Sequence, residues 1–473
     1  MIDGKANHTG RHAIRARLET GHRYKWVVFF TALAGLISAN FMVSVLAAAV
    51  GELSDEFGVD QSLMRWVVTG PNLGFAVLAV TAGKLADLYG RRQAFLVALV
   101  GSGFFGALSA AAWSAESLIV FRTISAIFGS AAGPAGIAII ATQFSSERRI
   151  QVMGWWGLVM AGGPVAGIII GGPVIDFWSW RWLFIAQIPL TLTALLGAWL
   201  VLPETTRRPD VRFDIPGTVL LASAASVFLW AVNRGPLWGW GSPSIALMFL
   251  AAGVLLMAFL RQEMRTPAPL IPIEYFKSRN FTLPMLSQFF TNFSYMGAGF
   301  VLAPLFLSEV FGYSVTKSSY LISSRPLFFA LAGPVVGMIG IRLGERVLAV
   351  TGAALVMSSA LSLAFVDAET SDLFIFAALG VAGFGLGSSM PAMTSAITHA
   401  VAEDDIATAG GAQQMMWQLG TAAGIEVLGS VQESREKVTE LADSFAQAFL
   451  VAAGFAAVGM VLAMGVTRLA RTD

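Results

Sequence analysis

Gly83-Lys-Leu-Ala-Asp87-Leu-Tyr-Gly90-Arg91-Arg92 is the stretch on which the reading of this chain turns. It joins two apolar runs, near 63–82 and 94–113, each close to the roughly 20 residues that a helix needs to cross bilayer hydrocarbon. A tight turn between helices needs glycine, and arginines beside it can bond helix-end carbonyls or a carboxylate. A second stretch matches it. Gly337-Met-Ile-Gly-Ile-Arg342-Leu-Gly344-Glu345-Arg346 repeats Gly83 at Gly337, Gly90 at Gly344 and Arg92 at Arg346, each 254 residues on. The chain therefore reads as two homologous halves that share one turn.

Working outward from the two turns, apolar runs of spanning length lie near 25–50, 63–82, 94–113, 117–143, 151–175, 182–202, 214–234 and 243–261. Six more lie near 281–308, 315–341, 346–366, 371–397, 406–431 and 444–467, which makes fourteen. Charge placement gives an independent check, because cytoplasmic loops carry the excess of lysine and arginine. The N-terminal tail supplies Lys5, Arg11, Arg15, Arg17, Arg23 and Lys25, and the even-numbered connections hold most of the remaining basic residues. Both termini are thus predicted to be cytoplasmic. The connection with Glu403, Asp404 and Asp405 goes against this trend. The first apolar run is too long for a cleavable signal, and no small-residue cleavage site accompanies it.

Composition agrees. Of 473 residues, 56% are hydrophobic and 12% charged, about half the charged share of a soluble domain. Lipid is the simplest solvent for such a chain. A net charge of +1 gives no footprint for nucleic acid. The absence of cysteine removes disulfides, thiolate metal sites and cysteine nucleophiles. Of the four histidines, His8, His12 and His22 lie in the tail and only His399 lies within the core, so neither a histidine metal cluster nor any cofactor is expected. Most of the 49 glycines are read as packing residues, as with Gly101, Gly103 and Gly106 on one helix.

The 83–92 stretch resembles the signature loop of the major facilitator superfamily. Further matches follow in order. Arg122 with Pro134 resembles the fourth-helix motif, with Ala126 replacing its usual glycine. Gly163-Pro164-Val-Ala-Gly167 resembles the antiporter motif of the fifth helix. Trp180-Arg181-Trp182-Leu-Phe184-Ile-Ala-Gln187-Ile-Pro189 resembles a stretch of the drug:proton antiporters with fourteen helices, as do Gly239-Trp240, Gln418-Leu-Gly420 and Gly424. The resemblance implies an all-α polytopic membrane protein: a tail at 1–24, a six-helix bundle at 25–202, and two extra, peripheral central helices at 203–265. A cytoplasmic linker at 266–280 and a second bundle at 281–467 complete it. The bundles would rock about a central site.

The subgroup usually has an aspartate midway along helix 1, where this chain has Met42, with Asn40 nearby. Glu426, in Gly424-Ile-Glu426-Val-Leu-Gly429, is a carboxylate well inside a span. Such a group costs roughly 2.5–3.5 kcal/mol on insertion scales, which makes Glu426 the candidate proton or cation-substrate site, or else a neutral or paired structural carboxylate held by Arg325 or a backbone partner. Arg122 sits where the family's proton-linked arginine lies, and it could alternatively hold an anionic head group. Gln288 and Asn292 at i,i+4, with Tyr295, and Gln414 and Gln418 with Trp417, could line an amphipathic substrate pocket together with Arg325. They could equally be interhelical glue, and Arg325 could snorkel to the interface. Gly83, Asp87, Gly90, Arg91 and Arg92 read as a conformational latch. Gly163, Pro164 and Gly167 would let the fifth helix bend.

The resulting expectation is a non-enzymatic exporter of amphipathic small molecules driven by protons, monomeric and in a bacterial inner membrane. One charge crossing 100 mV yields about 2.3 kcal/mol, enough for roughly a fiftyfold gradient. The alternative substrate is a lipid, glycolipid or other anionic amphiphile. A membrane sensor built on the transporter fold is a remote third reading, since the latch residues are intact and no soluble domain is appended.

Overall fold

The computed structural model describes residues 23–40, 46, 50–64, 66–145, 148–149, 151–157, 174, 178–204, 213–367 and 369–467. Met42 and the Gly163, Pro164 and Gly167 motif lie outside them. Among the described residues every regular element is a helix. The order begins with α1 (Tyr24–Asn40), α2 (Val50–Phe57), α3 (Trp66–Tyr89), α4 (Arg91–Ala110), α5 (Ala115–Gly129) and α6 (Ala132–Gln143). It continues with α7 (Arg181–Val201), α8 (Ile215–Trp238), α9 (Pro243–Glu263), α10 (Arg279–Gly297), α11 (Ala303–Glu309) and α12 (Val315–Ile322). The last are α13 (Ser324–Leu343), α14 (Glu345–Ala364), α15 (Asp372–His399), α16 (Ile406–Glu436) and α17 (Leu441–Met464).

Eleven helices among the described residues are long and apolar enough to cross a membrane. They coincide with eleven of the fourteen expected spans. The remaining three have separate reasons for falling outside that count. The apolar helix at the first span covers only Tyr24–Ala39. The span expected at 151–175 lies mostly beyond the described residues. At the thirteenth, α16 is 31 residues long, but Gln413, Gln414, Gln418 and Glu426 dilute its hydropathy.

Two of the breaks within spanning helices have local causes. A π turn at Ala298–Leu302 separates α10 from α11, with Gly297 and Gly299 lowering the cost of the widened coil. Ser323 separates α12 from α13, just before Pro326, whose ring removes the amide that would bond back to Ile322.

The described residues group into two compact units. The first takes Met1–Ser145, Gly163–Arg212 and Glu403–Gly411. Its α4 packs on two neighbours through glycines. A methyl at Gly101 would collide with the Phe128 ring on α5, while Gly103 and Gly106 face Thr191 and Gln187 on α7. At one end, Leu46, Leu53, Met64, Leu118, Trp180 and Phe184 form a buried cluster. Over it, Glu56 accepts from Trp180 Nε1 at 2.6 Å and pairs with Arg181. Burial pushes the Glu56 carboxyl up, but the hydrogen bonds from Arg181 and Trp180 and the charge of Arg181 outweigh it and hold the group below its ordinary value.

The second unit takes Ser146–Gly162, Phe213–Ala402 and Ala412–Asp473. One buried core joins α10, the π turn, α11, α15 and α17 through Phe293, Leu302, Phe306, Leu379, Phe445 and Phe449. Val232 of α8 is buried in the same core, so the inserted helix reaches this unit through that residue. Its partner α9 exposes Leu247, Leu250, Val254 and Met257 at 59–66%, an apolar face suited to lipid rather than water.

Candidate functional site

The 83–92 turn is the most fully built polar site among the described residues of the first unit. Gly90 has φ +107 and Gly344 has φ +80, a left-handed backbone that glycine adopts without steric cost, so the two repeat copies share their turn geometry. Asp87 is buried and its carboxylate is saturated. It accepts from Arg91 Nε at 3.1 Å, from the backbone N–H of Thr408 at 2.7 Å and of Ala407 at 3.3 Å, and from Thr408 Oγ1 at 2.9 Å. A carboxylate at the first N–H groups of α16 both caps the helix and meets the positive end of its dipole.

Arg91 also donates to the carbonyl of Glu403, and Lys84 pairs with Asp405 at 3.5 Å. The acidic connection that breaks the charge trend is therefore the counter-charge of the basic turn. Arg92 points elsewhere, donating to the Trp199 carbonyl at 2.7 Å and pairing with Glu204 at 3.5 Å. Gly83 lies against the Ala407 carbonyl and Gly411 against that of Ala79. These small residues four apart on each partner let α3 and the first turn of α16 touch backbone to backbone. In the second copy Glu345 takes the place of Arg91. It accepts from Ser395 Oγ at 3.1 Å and lies 3.8 Å from His399.

In the second unit, α10 and α16 are joined by amides. Gln288 accepts from Gln413 Nε2 at 2.9 Å, and Gln413 also donates to Thr394 Oγ1 at 2.7 Å. Asn292 donates to the Trp417 carbonyl at 2.8 Å and to Thr421 Oγ1 at 2.7 Å. Gly420 and Gly424 bring α16 onto the carbonyls of Phe289 and Phe293. Gln288 and Asn292 are thus committed to interhelical bonds. Gln414 is buried at 9% exposure, while Trp417 and Gln418 are half-buried. Trp417 and Met296 pack against a cluster of Tyr295, Phe329, Leu386 and Met390.

Glu426 is half-buried and accepts from Asn233 Nδ2 of α8 at 3.2 Å. Arg234, next along α8, stacks on Trp230 and Trp238. Arg122 is buried, with its guanidinium 5.7 Å from the centre of the Phe184 ring. Arg325 is buried on Tyr295, with its guanidinium 3.9 Å from the ring centre. Among the described residues no group of three or more His, Asp or Glu could hold a metal ion.

The family model for the Major Facilitator Superfamily matches residues 31–425 and 284–472. The chain belongs to the Major Facilitator Superfamily. It is 28% identical over 430 residues to the tetracenomycin C resistance and export protein of Streptomyces glaucescens, covering 90% of this chain and 78% of that one. It is 27% identical over 432 residues to the multidrug transporter protein MdtP of Bacillus subtilis, covering 91% and 78%. The human organic anion transporter MFSD10 shares its fold, with a TM-score of 0.67 over 93% of this chain and 99% of that one at 18% identity. The protein is thus a multi-pass membrane transporter of the superfamily, which takes small-molecule substrates.

Sequence reading passed over Asn233, Gln413 and Thr408. Asn233 and Gln413 carry no spacing signal that separates them from other amides in spans. Thr408 could have been found, because a threonine in a first helical turn next to Ala407 and Gly411 is a capping and close-crossing pattern.

Proposed function

We propose that this transporter exports amphipathic small molecules of the antibiotic class by proton antiport with alternating access, and that Glu426 carries the coupled proton. The observation that carries the reading is Glu426 itself: a half-buried carboxylate in a span, held by the neutral donor Asn233 at 3.2 Å. An amide donor can bond either protonation state, so the group can load and release a proton without losing its partner. The resistance and export proteins at 27–28% identity support a drug-like substrate. The half-buried Trp417 and Gln418, with Gln414, Met296 and Phe329, supply the mixed apolar and amide surface that such molecules need.

Fourteen spans, with the domain boundaries given above, belong to this reading, as do cytoplasmic termini in a bacterial inner membrane and a monomer as working unit. Asp87 capping α16 would be the latch, made in one conformational state and released in the other. The buried guanidinium of Arg122 favours a second reading, export of an anionic amphiphile.

Expression in an efflux-deficient bacterium tests the choice. The first reading expects raised tolerance to lipophilic cationic antibiotics and dyes, abolished by a protonophore. Tolerance to none of them, with binding of anionic lipids instead, would move the assignment to the second.

A further inference from the structure

Arg325 of α13 is 5% exposed and lies within an apolar region of the second unit. Among the described residues no carboxylate lies within pairing distance of it, and its one hydrogen bond there goes from Nη2 to the carbonyl of Tyr295. A guanidinium presents five N–H donors, so most of its donor capacity is unused by protein. Stacking on the Tyr295 ring offsets part of the desolvation cost, but a ring face supplies no counter-charge.

The chain is shaped to keep this cation in place. A methyl at Gly299 would occupy the guanidinium position, and one at Gly383 would collide with the Arg325 carbonyl. The π turn at Ala298–Leu302 carries Gly299 and opens the coil beside the guanidinium. Turns of this kind are frequent at functional sites.

A cavity of ≈ 10 Å³ borders the guanidinium, lined among others by Ser294, Tyr295, Gly299, Ser359 and Leu379. Ser294 Oγ is buried there with no hydrogen-bond partner among the described residues. An orphaned hydroxyl and an uncompensated guanidinium thus line one small chamber. Each of them costs free energy if unmet. A hydroxyl donor beside a cation suits an anion, and the volume admits one particle about the size of a water molecule.

We propose that Arg325, Ser294 and the π turn form a binding site for a single monatomic anion, chloride being the probe. The site lies among α10, the π turn, α13, α14 and α15, and it does not depend on Glu426 carrying protons.

The test is thermal unfolding of the purified full-length protein in detergent, titrated with sodium chloride against sodium gluconate at constant ionic strength. Wild type should show a midpoint that rises and saturates with chloride, and bromide should substitute for it. Ser294→Ala removes one hydrogen bond to a charged ligand, so its half-saturating chloride should rise about tenfold. Arg325→Gln should lose the response. Should Arg325→Gln fail to fold, the decision rests on Ser294→Ala, a small change that removes no packed carbon beyond its hydroxyl. Equal midpoints in chloride and gluconate for wild type would mean that the chamber holds water only. An identical chloride response in Ser294→Ala would place the anion elsewhere. Either result overturns the site.

Discussion

At the scale of single residues, four donors converge on one buried carboxylate at Asp87, the proposed latch. Asp87→Asn keeps the shape but replaces one acceptor oxygen with a donor that faces Thr408, and it leaves Arg91 without its charge partner. Breaking a buried pair costs about 3–5 kcal/mol, so the unfolding midpoint should fall by several degrees and transport should slow. Thr408→Ala removes one hydroxyl bond, and its cost should be nearer 1 kcal/mol. Thermal unfolding of both variants checks the ordering.

Glu56 gives a residue-scale prediction in pH. Its carboxyl lies below its ordinary value of 4.5 in the folded protein. The stability it contributes is therefore fully present above about 4.5 and is lost as pH falls through the folded value. The difference in unfolding midpoint between wild type and Glu56→Gln should be constant from pH 6 to 8 and shrink on acidification below about pH 4.5. A difference that widens in acid would contradict the pairing with Arg181.

At the scale of elements, the glycines decide which helices can approach. Gly83 on α3 faces the Ala407 carbonyl, whereas Gly253 on α9 has no atom within 4 Å of an added methyl. Gly83→Ala should destabilise by about 1–3 kcal/mol through overpacking. Gly253→Ala should be neutral or stabilise by up to about 1 kcal/mol through the unfolded chain. A pair of unfolding curves separates the two. Sequence could show that glycine mattered at 83 and 90, because the repeat at 337 and 344 fixed the spacing. It could not show what Gly83 touches, since Ala407 lies 324 residues away and neither alanine nor glycine advertises a partner.

The same limit hid the role of α8. Hydropathy located the helix, but an asparagine in an apolar run looks alike whether it faces lipid or a carboxylate. Only the fold puts Asn233 at Glu426. Likewise Gln288 and Asn292 were legible as amides at helical spacing, while the choice between pocket and glue depended on Gln413, Thr394 and Thr421. Asn233→Ala should remove this hydrogen bond from Glu426 and change the pH profile of transport. An unchanged profile would show that Asn233 does not act on the coupling group.

At the scale of the whole molecule, membrane location and superfamily were legible because they rest on periodic signals: apolar runs of spanning length, alternating loop charge and one repeated turn. The energy source was less so. With Met42 at the helix 1 position where the resembling subgroup has an aspartate, the proposed proton carrier is Glu426. The decisive measurement is efflux of a lipophilic fluorescent cation from proteoliposomes under an imposed pH gradient, comparing wild type with Glu426→Gln. Gradient-driven transport is expected in wild type and its loss in the variant, with gradient-independent exchange of substrate retained. Gradient-driven transport undiminished in Glu426→Gln would contradict the claim that this carboxylate carries the proton.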